Sequence, residues 1–153
     1  MRDFLFIFRV FIFASICLNY TYGKPNIVFL LADDQALISM GCYGNNDALT
    51  PNLDRLSKKG VTFDNHYVTT AICMASRASI LTGKYEYQHG CNFSKGKLSQ
   101  EDIKNSYPNV LKRAGYVTAF AGKYGVDLKS ESPQNLFDKW GGGPGQTSYV
   151  TAK

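Results

Sequence analysis

The segment Asn26-Ile27-Val28-Phe29-Leu30-Leu31-Ala32 constrains the fold more than any other stretch of the chain. It is an unbroken apolar run of strand length, rich in β-formers. A strand with one wet face alternates polar and apolar residues. A continuous run is expected where helices cover both faces of a parallel sheet. The second half of the chain repeats the theme. Ser106–Gly115 carries helix punctuation, with Ser106 or Tyr107 near the N-cap and Gly115 at the end, and Tyr116–Gly122 follows as another apolar strand. Strand, helix and strand at this spacing form the unit of a parallel α/β sheet. The expected class is therefore α/β, a parallel-type sheet flanked by helices.

Other segments are read by the same rules. Gly41–Leu49 is a loop by its glycines and asparagines. Thr50–Gly60 is a short helix with Thr50 as N-cap, Pro51 at its first position, Leu53 and Leu56 on one face and Gly60 closing it. Val61–Tyr67 alternates like a half-buried strand. Lys95–Asn105 is polar and expected to be exposed, and Gly142–Gln146 reads as turn or loop.

A length of 153 residues gives one domain, and 44% hydrophobic residues supply its core. The formal charge is +5, yet no lysine- or arginine-rich block accompanies it, so no nucleic-acid partner is expected. Lys58-Lys59 is the densest basic pair and belongs on the solvated end of a helix. The mild positive bias suits an anionic substrate. Residues 1–23 read as a secretory signal. Arg2 opens it, an apolar run follows, and Thr21 and Gly23 stand at −3 and −1 before Lys24. Arg9 cuts the run into pieces shorter than the ~20 residues a spanning helix needs, so no stable membrane span is expected. The mature part, 24–153, is then secreted or lumenal. It retains Cys42, Cys73 and Cys91, and Asn92-Phe93-Ser94 is a glycosylation acceptor in form.

Three features carry chemistry. Asp33-Asp34 ends the first apolar run, at the carboxyl end of a strand, where ligands of open parallel sheets gather. Adjacent carboxylates repel unless a cation or donors separate them, and hard oxygen ligands favour Ca²⁺ or Mg²⁺. Asp is equally a turn former and helix cap, and that reading stands beside the first. Cys73 enters a short helix ending at Gly83, and a helix N-terminus suits an anionic group. Arg77, one turn on, adds a planar fork of donors for a tetrahedral oxyanion. The plainer reading is a buried cysteine on a core helix. Lys123, at the end of the later strand, can reach an anionic oxygen or simply face solvent. His66, alone on an expected strand, is read as structural and left out of the site.

The stretch Cys73-Met74-Ala75-Ser76-Arg77-Ala78-Ser79-Ile80-Leu81-Thr82-Gly83 resembles the signature of the sulfatase family, Cys-x-Pro/Ala-Ser-Arg-x-x-x-Leu-Thr-Gly, at every fixed position. The resemblance implies an alkaline-phosphatase/sulfatase-like fold. It also implies that a formylglycine-generating enzyme converts Cys73 to formylglycine, with Cys73, Ala75, Ser76 and Arg77 as the modification motif. Ala32-Asp33-Asp34, followed by Met40–Asn45, is similar to the family pattern too. It implies that Asp33, Asp34 and the residue made from Cys73 bind Ca²⁺, with Mg²⁺ as the alternative. Gly122-Lys123-Tyr124-Gly125 resembles the family's Gly-Lys-Trp-His segment, whose lysine binds the sulfate, and Gly125 stands in the histidine position. His89 resembles a histidine commonly found after the signature. If Cys73 becomes an aldehyde, Cys42 and Cys91 remain for a disulfide.

The implied activity is that of a sulfuric ester hydrolase acting on a sulfated small molecule or sugar. The hydrated aldehyde would attack sulfur, Arg77 and Lys123 would balance charge, and the second hydroxyl would expel sulfate after the alcohol leaves. The resemblance extends over about residues 25–141, the front of a longer domain, so 24–153 is read as the truncated N-terminal portion of a sulfatase catalytic domain. The other readings are a truncated, non-catalytic fragment and a related phosphoesterase. Such phosphoesterases use Ser or Thr as nucleophile and lack the Cys73–Gly83 signature.

Overall fold

The structure, a computed structural model, describes residues 23–94, 96–129, 131–143 and 145. The leader expected over 1–23 lies, apart from Gly23, outside the described residues. The chain divides into two compact units, Met1–Gln35 and Ala36–Lys153.

In the first unit the described residues 23–35 carry no helix or strand, and the chain bends at Asp33–Asp34. The strand expected over Asn26–Ala32 is therefore corrected. Val28 is 81% exposed and Leu30 75%. An apolar run states that a segment needs cover and does not name the neighbour that supplies it. A strand exists only where its N–H and C=O groups meet a partner backbone.

The second unit opens with two short 3-10 turns, Leu37–Ser39 and Gly41–Tyr43. Helices α1 (Pro51–Lys59), α2 (Cys73–Thr82), α3 (Glu86–His89), α4 (Gln100–Lys104) and α5 (Tyr107–Arg113) follow. Strand β1 (Ala119–Lys123), a 3-10 turn at Pro133–Leu136 and strand β2 (Lys139–Gly143) close the order. The punctuation of α1 is as expected, with Thr50 before Pro51 and Gly60 N–H closing on Leu56 O at 2.8 Å. Thr50 Oγ1 accepts from Gly41 N at 2.9 Å and donates to Asp54 Oδ1 at 3.1 Å, tying the preceding turn to the helix start. Its apolar face is not covered, since Leu56 is 63% exposed. Val61–Tyr67, expected as a strand, has no regular structure, and Phe63 and Tyr67 are exposed.

The parallel sheet is present, between β1 and β2, with Ala119 opposite Lys139 and Lys123 opposite Gly143. The pairing continues one step, Tyr124 N donating to Gly143 O at 3.0 Å. Gly142, expected in a loop, is a strand residue. Across the register Phe120 stacks on Trp140, ring centroids 5.0 Å apart and planes 18° from parallel. Tyr124 and Phe137 pack edge-on and tilted against the same rings. Aromatic cover of this kind holds a two-stranded ribbon that would be marginal alone.

Lys95–Asn105 is also corrected. It contains α4, with Asp102 and Ile103 buried, and Leu98 is 1% exposed. Leu98 N donates to Asp127 O at 2.9 Å and its carbonyl accepts from Lys129 N at 3.2 Å. Among its described residues only Leu98, Asp102 and Ile103 are buried, while Lys97, Gln100, Glu101, Lys104 and Asn105 are exposed as expected. Ser99 caps α4 by accepting from Asp102 N at 3.1 Å, and Lys84 Nζ meets Asp102 Oδ1 at 2.7 Å. Cys42 and Cys91 are free thiols, so the disulfide left open for them is not formed. Burial pushes the Cys91 thiol up. No helix among the described residues is long and apolar enough to cross a membrane.

Two predictions concern this unit. Tyr124 is 2% exposed, and its hydroxyl has no hydrogen-bond partner among the described residues. Burial pushes that hydroxyl's pKa far above its ordinary value. An unsatisfied buried hydroxyl costs about 1–3 kcal/mol. Tyr124→Phe, which keeps the ring, is expected to raise the unfolding free energy by about 1 kcal/mol in urea titrations.

The second concerns acid. His89 is held below its ordinary value by burial, so the unfolded chain takes up its proton first. Its contribution is whole above about pH 6.5 and declines as pH falls below that value. For Asp102, burial pushes the carboxyl up, but hydrogen bonds from Lys84 and Ser99 outweigh it and leave the pKa depressed. That contribution is present above about pH 4 and lost as pH falls through the lower folded value. Urea midpoints against pH are expected to fall in two stages, and His89→Asn is expected to remove only the first.

Candidate active site

Helix α2 starts after Ile72, whose backbone is extended, and Ser76 N donates to Ile72 O at 2.8 Å. It ends at Gly83, in the left-handed region, with Gly83 N bonded to Ser79 O at 2.8 Å. Met74, Ala75, Ala78 and Leu81 form its buried stripe. Cys73, Ser76 and Arg77 are half-buried on the rest of its circumference. Cys73 and Arg77, one turn apart, share a face.

From that face Arg77 Nη1 donates to the backbone carbonyl of Lys123 at 2.6 Å. Lys123 is the last residue of β1 and half-buried. Gly125 lies beneath both side chains at φ +65°. A Cβ there would stand 3.2 Å from Arg77 Cδ and 3.3 Å from Lys123 Cε. A side chain at this position would be strained in backbone and would press both cations aside. The structure thus brings the Arg77 and Lys123 side chains together over Gly125, with Cys73 one turn before Arg77 on the same helix. Two cationic side chains this close together have the charge and the donors to suit an anionic group.

Asp33 and Asp34 belong to the first unit, at a bend where Asp34 adopts φ +52°. Two adjacent carboxylates have the hard-oxygen chemistry that Ca²⁺ or Mg²⁺ prefers, but Ca²⁺ takes about six to eight oxygens. No group of three or more His, Cys, Asp or Glu is gathered closely enough for a metal among the described residues. The donor set fits the ion in kind and supplies only part of a shell.

His89 ends α3 and is 6% exposed. Its Nδ1 accepts from Cys91 N at 3.0 Å, so Nε2 carries the proton and donates to Ser79 Oγ, also at 3.0 Å. A serine nucleophile needs the opposite polarity, with the imidazole accepting from Oγ. The pair is a latch between α2 and α3. Nothing in the sequence signals it, because the partners stand ten residues apart in separate helices. His66 is exposed, its ring 6.5 Å from that of Phe63. In the acceptor triplet, Asn92 Nδ2 is engaged by Glu86 Oε1, and Asn92 Oδ1 accepts from Ser94 N at 2.9 Å.

The sulfatase family model matches residues 25–153. The N-acetylglucosamine-6-O-sulfatase of Bacteroides thetaiotaomicron is 42% identical over 117 residues, which are 76% of this chain and 20% of that protein. An ulvan-active sulfatase of Formosa agariphila is 42% identical over 114 residues, 74% of this chain and 22% of that protein. Human arylsulfatase A is 37% identical over 113 residues, 70% of this chain and 22% of that protein. The chain therefore spans about a fifth of the length of the curated relatives it matches. A solved structure of a protein in complex with its substrate D-glucosamine-2-N,6-O-disulfate superposes with a TM-score of 0.65 at 41% identity. It covers 77% of this chain and 23% of that one.

Proposed function

The chain belongs to the sulfatase family, and from that membership we propose that it carries the nucleophile and sulfate-binding part of a sulfuric ester hydrolase. Cys73 is the residue converted to formylglycine, within the motif Cys73, Ala75, Ser76 and Arg77, by a formylglycine-generating enzyme. The hydrated aldehyde supplies an oxygen nucleophile toward the sulfur of a sulfate monoester. Arg77 and Lys123 bind the sulfate oxygens and offset charge that develops during attack. Asp33 and Asp34 would contribute two carboxylates to a Ca²⁺ or Mg²⁺ site, and such an ion supplies Lewis-acid polarisation when bound.

The observation that carries this reading is the 2.6 Å bond from Arg77 to the Lys123 carbonyl. It fixes the guanidinium on the Cys73 face of α2 and leaves the Lys123 side chain beside it over Gly125. Because Gly125 lacks an imidazole, charge neutralisation rests on these two cations, without a proton donor at that position. The substrate class is a sulfated sugar, by likeness to the glucosamine disulfate held in the similar solved structure. The leader read over 1–23 supports a secreted or lumenal protein.

A peptide-resolved mass spectrum of the protein from its own host tests the reading. The expected result is an aldehyde in place of the thiol at position 73. A wholly unmodified thiol there would overturn it.

A further inference from the structure

The second unit holds a cleft of about 410 Å³ that the chemistry above does not use, lined by Thr69, Thr70, Tyr85, Glu86, Tyr87 and Gly90. Its volume falls within the ~300–1,000 Å³ of small-ligand sites. Tyr85 and Tyr87 lie nearly parallel, centroids 5.9 Å apart and planes 12° from each other, and are 55% and 83% exposed. The two rings stack on each other, and the more exposed, Tyr87, offers an apolar ring surface to solvent. Their neighbours are polar. Thr69 and Thr70 contribute hydroxyls, and Glu86 contributes a carboxylate held in place by Asn92 Nδ2.

An apolar flat surface edged by hydroxyls and a carboxylate is complementary to a sugar ring. The C–H face of a pyranose packs on the negative face of an aromatic ring, and its hydroxyls donate to the carboxylate. Glu86 also sets the charge, because a carboxylate in the wall disfavours a second anion nearby. The cleft is joined through the backbone to the helix that carries Cys73. Thr70 O accepts from Ile72 N at 2.9 Å, Ile72 precedes Cys73, and the Ser79–His89 latch ties the opposite wall to α2.

We propose that the Tyr85/Tyr87 cleft is a sugar-binding subsite for an uncharged ring of a glycan, next to the sulfated ring whose sulfate meets Arg77 and Lys123. The position of the sulfated neighbour rests on the function proposed above, whereas binding of the uncharged ring does not.

The test is a titration of the whole protein, as its host produces it, with an unsulfated N-acetylglucosamine-containing disaccharide, followed by tyrosine fluorescence. Saturable binding is expected. Tyr87→Ala should weaken it roughly tenfold, and Tyr87→Phe should retain it. Glu86→Gln should weaken binding of the unsulfated sugar and improve binding of a disaccharide sulfated on both rings. Tyr87 is exposed enough that its truncation leaves the fold intact, which circular dichroism checks. Absence of saturable binding, or binding indifferent to Tyr87→Ala, overturns the subsite. Arg77→Ala separates the two readings, since it should abolish only the gain that a sulfate gives. Unsulfated binding that survives while sulfate gives no gain would leave the subsite standing and sink the sulfate site.

Discussion

Replacing Cys73 with alanine is expected to lower sulfate-ester hydrolysis by the host-produced protein roughly 10⁴- to 10⁶-fold, the scale of removing a covalent nucleophile. The fold should be almost indifferent to the change. Cys73 is half-buried at the first position of α2, and the stripe that packs the core is Met74, Ala75, Ala78 and Leu81. Loss of one sulfur outside that stripe should shift the unfolding free energy by no more than about 0.5 kcal/mol. An aryl sulfate assay beside a urea melt reads both quantities. Near-normal turnover in the variant would remove Cys73 from the chemistry, and a large drop in stability would make it a core residue.

Gly142→Val should do the opposite, with its first effect on the fold. Gly142 faces Gly122 in the parallel register. A Cβ at Gly142 would stand 2.7 Å from Phe120 Cδ1 and 2.8 Å from Gly122 O. The ring could turn, but the carbonyl belongs to the paired backbone and cannot withdraw without opening the ladder. Overpacking of this kind costs about 1–3 kcal/mol, occasionally more. The upper part of that range is expected, because Phe120 also stacks on Trp140 and touches Tyr124 and Phe137. The loss should appear as a lower unfolding midpoint with a weakened near-ultraviolet signal from this aromatic group. A midpoint equal to that of the parent protein would show that the strands are not this close.

Much of the helical part was legible. Thr50-Pro51 and Gly60, Gly83 after α2, and Ser106 before α5 are local signals, and each acts within one turn of its own position. Lys123 was legible as the end of a strand, although β1 begins at Ala119, three residues later than the apolar run. The strands expected over Asn26–Ala32 and Val61–Tyr67 were not borne out, because alternation and apolarity describe a segment's needs and pairing is a property of two segments. Helix α4 was missed for a different reason. Five residues, Gln100–Lys104, are too few for a period to emerge, and Asp102 is buried only because Lys84 meets it from a distant segment. At the candidate site, no local signal in the sequence announced which of the expected residues would meet. The contact of Arg77 with Lys123, and the floor that Gly125 gives them, depend on how α2 and β1 dock.

That contact spans 46 positions of the chain. During synthesis at about 5–20 residues per second, Lys123 leaves the ribosome roughly 2–9 seconds after Arg77. For that interval Cys73 sits in a segment whose guanidinium has not yet met its carbonyl and whose helix has no β1 to dock on. Chemistry on the Cys73 thiol therefore has a clock. Under the modification proposed above, an enzyme acting on Cys73 before the carbonyl arrives would meet an open peptide, and afterwards a half-buried residue one turn from an anchored guanidinium.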